Sequence, residues 1–272
     1  MRWIIGLTVQ EALRRRLVVA AFGLGAAFLA LYGLALGLIH REMIRHGAPD
    51  PRMVAELVGF FALAALYVVH LMSVMAAAVG TADTLSGEIA SGVILAVAAR
   101  PLARWQILLG KGIGHALWLL LYTLGLGGGV LGLTTGITGW VPAGWARGLA
   151  LLALGALVPL ALSLWGGAGL STLANGALVL GLYGVAFVGG WAEQIGGLAG
   201  APAVVDLGIL ASLLMPAEAM WRRAAYELQS PVARFTPFTA SSIPNDRMIL
   251  YAIAYIAILL LAAVRRFEQR DL

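Results

Sequence analysis

The residues best placed to do chemistry fall in one stretch, Thr81 to Lys111, where an otherwise apolar chain turns polar. It carries Asp83 and Glu88, then Arg100, Arg104 and Lys111, the only lysine in the chain. Groups of both signs at such spacing suit ion pairing and docking to a partner. Asp83 and Glu88 open a helical pattern, where carboxylates favour the positive end of the helix dipole. Ile89, Val93 and Val97 repeat at four-residue spacing and predict one apolar stripe. Arg100-Pro101 ends that helix, because the residue before proline is pushed out of the α region. Leu102, Trp105 and Leu109 start a second stripe that runs into the next apolar stretch. The expected element is a helix, a proline corner and a helix lying along one membrane face. An ordinary interfacial loop helix is the plainer alternative.

Catalytic constellations are missing. There is no Gly-x4-Gly-Lys-Ser/Thr to cradle nucleotide phosphates, no His-Glu-x-x-His and no Gly-x-Ser-x-Gly. The four histidines, His40, His46, His70 and His115, are not spaced as a metal cluster, and no carboxylate pair falls within an apolar stretch. The chain is expected to be neither an enzyme nor a metal binder. His70 is the one ionisable group expected near mid-membrane, where such groups are functional candidates. Tyr67, three residues earlier, shares its helical face, so the two could line an internal path or simply pack. Trp118 and Tyr122 lie one turn apart and could stack on an apolar ligand, which would place them with Tyr67 and His70 along one translocation path; core packing is the plainer reading.

The elements that must position these residues are membrane helices. The chain is 61% hydrophobic and 11% charged, with a mean hydropathy of +0.92. A soluble fold could not cover that much hydrocarbon. Long continuous apolar stretches favour helices over a barrel's alternating strands. Six spans are expected: Leu17 to Ile39, Leu57 to Val79, Ile113 to Leu133, Leu149 to Leu170, Ala177 to about Trp191, and Met248 to Val264. The net charge of +5 reads as basic flanks meeting anionic headgroups rather than nucleic acid. Cysteine is absent, so there is no disulfide frame and no thiolate site.

Basic residues set the expected orientation. Arg2, Arg14, Arg15, Arg16, Arg100, Arg104, Lys111, Arg265, Arg266 and Arg270 fall on one side. Arg41, Arg45, Arg52, Arg147, Arg222, Arg223, Arg234 and Arg247 fall on the other. The triplet before the first span places both termini in the cytoplasm. Residues 1–16 read as an uncleaved amphipathic helix at the interface, built on Trp3, Ile4, Leu7 and Glu11; a plain basic flank is the alternative. Gly33/Gly37, Gly110/Gly114 and Gly132/Gly136 have the spacing that lets helix backbones approach.

The segment 193–247 is expected on the outer face. Val204 to Met215 is apolar but too short to cross and is bracketed by Pro202 and Pro216, so it reads as re-entrant or interfacial. Ala217 to Leu228 follows as a second helix with Met220, Trp221 and Tyr226 as interfacial anchors; Pro231, Pro237 and Pro244 keep the rest extended.

Ser86-Gly-Glu-x-x-x-Gly, then Ala-Arg-Pro-x-x-Arg-Trp and Leu-Gly-Lys, resembles the signature of ABC-2-type permeases, the membrane subunits of ABC exporters. Gly87, Glu88, Gly92, Arg100, Pro101, Arg104, Gly110 and Lys111 match, while Val93 and Ala103 replace the commoner Thr and Ser. The basic start, six spans, the Pro-Ala-Glu-Ala-Met-Trp-Arg-Arg stretch and the basic tail extend the likeness along the chain, closest to the permeases grouped with copper-enzyme maturation. The resemblance implies one permease domain over 1–272, with Thr84 to Lys111 inside a cytoplasmic coupling region at 80–111. It implies pairing with a second permease copy or homologue and docking of two ABC ATPase subunits that bind ATP and Mg, with no cofactor in this chain. It also implies a bacterial or archaeal plasma membrane. A membrane scaffold or channel that holds a soluble partner by the same element is the alternative.

Overall fold

The computed structural model describes residues 1–47, 50–92, 103–229 and 243–270. Every regular element among them is a helix. They are α1 (Arg2–Arg14), α2 (Arg16–Arg45), α3 (Pro51–Thr81), α4 (Ser86–Ala90), α5 (Arg104–Thr138), α6 (Trp145–Gly167), α7 (Thr172–Ala199), α8 (Pro202–Leu214), α9 (Ala217–Leu228) and α10 (Asp246–Glu268). Six of these, α2, α3, α5, α6, α7 and α10, are long and apolar enough to cross a membrane. The boundaries follow local chemistry. Asp50 caps α3 by accepting from the Arg52 N–H, Ser171 caps α7 and Asn245 caps α10. Gly139 and Gly200 close α5 and α7 in the left-handed region that glycine adopts without strain.

Span lengths differ from the sequence expectation in a consistent direction. The helices extend beyond the apolar windows, because polar flanks remain helical once the backbone ladder is started. The fifth span does not stop at Trp191. It runs to Ala199, where Gly200 and Pro202 end it. The fourth ends earlier than Leu170, at Gly167, just before the turn that leads to the Ser171 cap.

α6 sits at the centre, packed against α3, α5, α7, α9 and α10, and is the most enclosed span. α2 and α10 are the most exposed. α8 and α9 form a bent pair, turned by 109° at the Met215-Pro216 corner. α8 packs along α7, where Gly189 and Gly208 face each other's helix: a Cβ on Gly189 would fall 2.2 Å from the Ala211 Cβ, and one on Gly208 2.5 Å from the Gly189 carbonyl oxygen.

α1 is helical as expected, but its apolar face is not spent on lipid alone. Ile4, Thr8 and Ala12 are buried, and α1 packs on the first half of α5. Gly110 and Gly114 make that approach possible. A Cβ would sit 2.9 Å from Ile4 at Gly110 and 2.6 Å from Thr8 at Gly114. A Cβ on Gly33 of α2 would likewise stand 3.4 Å from Leu133 of α5, whereas Gly37, Gly132 and Gly136 have nothing within 4 Å.

Met220 and Trp221 do not act as interfacial anchors. Both are buried, because α9 packs against α6 and α3 through the face that carries them; Tyr226 alone of the three stays exposed.

Candidate functional site

The polar stretch is built on the end of α3. After Thr81 the chain turns through 82–85 into the single-turn helix α4. Gly92 then takes φ of +72° and ends that helix. This corrects the expected continuous helix carrying Ile89, Val93 and Val97: a left-handed residue breaks the register after one turn. Val93 to Leu102, with Arg100 and Pro101, lie outside the described residues.

The described part is tucked inward rather than laid on a surface. Thr84 Oγ1 is 2.9 Å from His115 Nε2, and the Trp118 indole N–H donates to His115 Nδ1 at 3.0 Å, which fixes Nε2 as the ring N–H that faces Thr84. Ser86 and Thr172 hydroxyls share a hydrogen bond at 2.9 Å, joining α4 to the start of α7. Asn175, fully buried, donates from Nδ2 to the carbonyls of Ala82 at 3.0 Å and Ser163 at 2.9 Å. One amide thereby ties the end of α3 to α6 and α7. Gly87 is close-packed, since a Cβ there would stand 3.2 Å from the Asp83 Cβ.

Glu88 forms an ion pair with Lys111 across the gap between α4 and α5, with side chains only 11% and 6% exposed. Arg15, at the junction of α1 and α2, bonds both Asp83 at 2.5 Å and Glu11 at 2.9 Å. Gly110, next to Lys111, is the site where α1 crosses α5. Two ion pairs therefore clamp the polar segment to α1 and α5 together. Arg104 serves a different purpose from Glu88: its guanidinium donates to the carbonyls of Glu268 and Arg270 at 3.0 and 2.7 Å, holding the start of α5 to the end of α10. Ala90 and Ser91 before residues 93–102, and Ala103 and Trp105 after them, are exposed.

Tyr67 and His70 belong to a second centre. The Tyr67 ring lies 5.0 Å from that of Trp221, and His70 lies 5.9 Å from Trp221 and 6.1 Å from Tyr183. His70 Nε2 is 3.6 Å from Glu218 Oε2, too long for a direct hydrogen bond, and Tyr183 donates to the same oxygen at 3.2 Å. Beside them Arg222 approaches Glu193 at 2.6 Å as a charge pair and donates to Ser212 at 2.9 Å. His70 stands roughly 28 and 16 Å along α3 from its two ends, so this ionic group lies deep within the helical bundle. It overturns the expectation that His70 is the one ionisable group at that depth. Glu193 sits in α7, not in an outer loop, and α9 carries Glu218 and Arg222 inward.

Trp118 and Tyr122 have other neighbours. Trp118 packs over Gly80, where a Cβ would be 3.1 Å from the indole, and Tyr122 meets Phe22 of α2 edge-on at 5.2 Å. The four residues expected along one path thus fall into two separate groups. Sequence reasoning missed His115, Asn175, Tyr183, Glu193, Glu218 and Arg222. Asn175 alone carried a local signal, as a buried-type amide in an apolar helix; the rest depend on which helices meet.

Residues 3–272 match the family model described as ABC-2 family transporter protein. No curated protein matches the chain.

Proposed function

Because the chain belongs to the ABC-2 transporter family and is a multi-pass membrane permease of that transporter class, we propose that it works as the exporting half of an ATP-driven complex. It pairs with a second copy or homologue, and two ABC ATPase subunits bind ATP and Mg and dock beneath 80–111. Both termini and that segment then face the cytoplasm of a bacterial or archaeal cell, and the stretch from Gly200, after α7, to Arg247 begins and ends on the outer side.

The observation that best supports the coupling role is the buried Glu88–Lys111 pair. A docking element transmits force only if it is fixed to the helices it must move. Glu88 is too enclosed to be a main ATPase contact, so it is a positioning residue, and Thr84, Gly87, Gly92, Gly110 and Lys111 share that work. The exposed Ser91 and Trp105, on either side of residues 93–102 in sequence, are the docking side together with Arg100 and Pro101. Arg104 anchors the start of α5 to α10.

Ser91→Cys in this cysteine-free chain, carrying a short thiol crosslinker, should capture an ABC ATPase subunit from membranes that express both. Capture of no ATPase, with the permease itself intact, would move the scaffold reading ahead. The same cysteine tests orientation: an impermeant thiol reagent applied to intact cells should leave Ser91→Cys unlabelled and label Ser230→Cys, which lies outside the described residues. The reverse pattern would invert the topology.

His70 is proposed as part of the moving interior. His70→Leu removes the ring that neighbours Glu218, Tyr67 and Trp221. It should change the ATPase rate of the assembled complex severalfold while the subunits still co-purify. An unchanged rate would assign His70 to packing alone.

A further inference from the structure

A groove of about 400 Å³ runs between α2, α3 and α5. Leu17 and Leu24 of α2, Met75 and Val79 of α3, and Trp118 and Tyr122 of α5 line it. The first four are well exposed, while the two aromatic residues are buried and form its floor. The groove is therefore open sideways, toward the membrane interior, and closed toward the protein.

Its position along the helices is fixed. Leu17 to Leu24 are the first two turns of α2, and Met75 to Gly80 the last two of α3, so the groove begins at the end of the bundle where α1 lies. From Leu17 to Leu24 it extends roughly 10 Å into the bundle, about two thirds of one leaflet's hydrocarbon depth. That shape suits the upper part of one acyl chain.

The mouth of the groove is basic. Arg14, Arg15 and Arg16 immediately precede Leu17. Arg15 is engaged by Glu11 and Asp83, which leaves Arg14 and Arg16. Both are exposed, and neither forms an ion pair among the described residues. Arg16 lies one turn before Ala20, a lining residue, and so shares the groove-facing side of α2. Arg14 borders a neighbouring recess with Gln10 and Glu11. An apolar slot that begins at Leu17, directly after two arginines free of ion pairs among the described residues, is complementary to one lipid class.

We propose that this groove is a binding site for an anionic phospholipid of the leaflet on the α1 side, with one acyl chain against Trp118 and Tyr122 and the phosphate between Arg14 and Arg16. Guanidinium groups grip phosphate oxygens through paired N–H donors. The zwitterionic lipids of the same leaflet present a headgroup cation that these arginines repel. The site is independent of how the ATPase docks.

The test uses full-length protein reconstituted in vesicles of equal phosphatidylglycerol and phosphatidylcholine, extracted in mild detergent and weighed by native mass spectrometry. Wild type should retain one phosphatidylglycerol per chain in clear excess over phosphatidylcholine. Arg14→Gln and Arg16→Gln should each cut that excess by about fivefold, from the usual worth of one basic side chain near an anionic surface. Ala21→Phe, which fills the groove from α2, should abolish retention of both lipids, and the milder Ala21→Leu serves if the larger side chain disturbs folding. Equal retention of both lipids by wild type, or an excess unchanged in both arginine variants, would overturn the headgroup assignment. Lipid retention unaffected by Ala21→Leu and Ala21→Phe, with loss of permease pairing instead, would make the groove a contact between two copies and end the proposal.

Discussion

Glu88→Ala is expected to disconnect ATP hydrolysis from the permease while leaving the six spans folded. The substitution strands Lys111, whose side chain is 6% exposed, without its carboxylate. Removing one partner of a buried pair costs about 3–5 kcal/mol, whereas an exposed pair would contribute no more than about 1 kcal/mol. That cost falls on the junction of α4 with α5, not on the lipid-embedded packing of α6. The α4 turn should therefore loosen locally: Ser91→Cys in this background should become more reactive to thiol reagents, and ATPase co-purification should drop. Lys111→Ala should do the same. The double variant Glu88→Gln with Lys111→Met removes both charges at similar volume. It should recover most of the thermal stability, since the costly state is the lone buried charge. Normal coupling in both single variants would sink the assignment of 80–111 as the coupling element.

Arg222→Ala is expected to be the most destabilising single change in the chain. It deletes a fully buried guanidinium that meets Glu193 on α7 and Ser212 on α8 from its place on α9. Of the helices it joins, α7 and α8 also meet through small residues at Gly189 and Gly208, and α7 and α9 through the Tyr183–Glu218 hydrogen bond. Taking the Arg222 guanidinium away from the buried Glu193 carboxylate should cost about 3–5 kcal/mol. Arg222→Met with Glu193→Gln should be far milder than the single change, because no charge is then stranded. The measurement is the unfolding midpoint in detergent, together with protease sensitivity of the α8–α9 corner. A loss below 1 kcal/mol for Arg222→Ala would mean that water reaches the pair and that the bent helices are not sealed inside.

The class of this protein was legible from sequence because hydrophobicity is a local property. An apolar stretch of membrane length must be a helix, whatever its neighbours, since lipid offers no partner for an open backbone. The six spans, the polar interruption after the second and the short apolar segment between Pro202 and Pro216 all followed from that. The helix ends did not: Asp50, Ser171 and Gly200 cap by their own chemistry, beyond the apolar windows. The family resemblance rested on residues within one such interruption, and it holds over nearly the whole chain.

Tertiary structure decided everything that required two distant segments to meet. Glu88 and Lys111 read as separate charges along a surface element; they are one buried pair because the turn after α3 folds back on α5. Met220 and Trp221 had the composition of interfacial anchors, and Glu218 and Arg222 that of a solvated face. The bend at Pro216 turns α9 inward, and all four become interior. His70 alone looked isolated until α7 and α9 supplied Tyr183 and Glu218. A side chain's polarity is written in its own residue, but the cost of burying it depends on a partner from another helix. Only the packed bundle determines which charges are stranded, which are paired and which remain free at the membrane face.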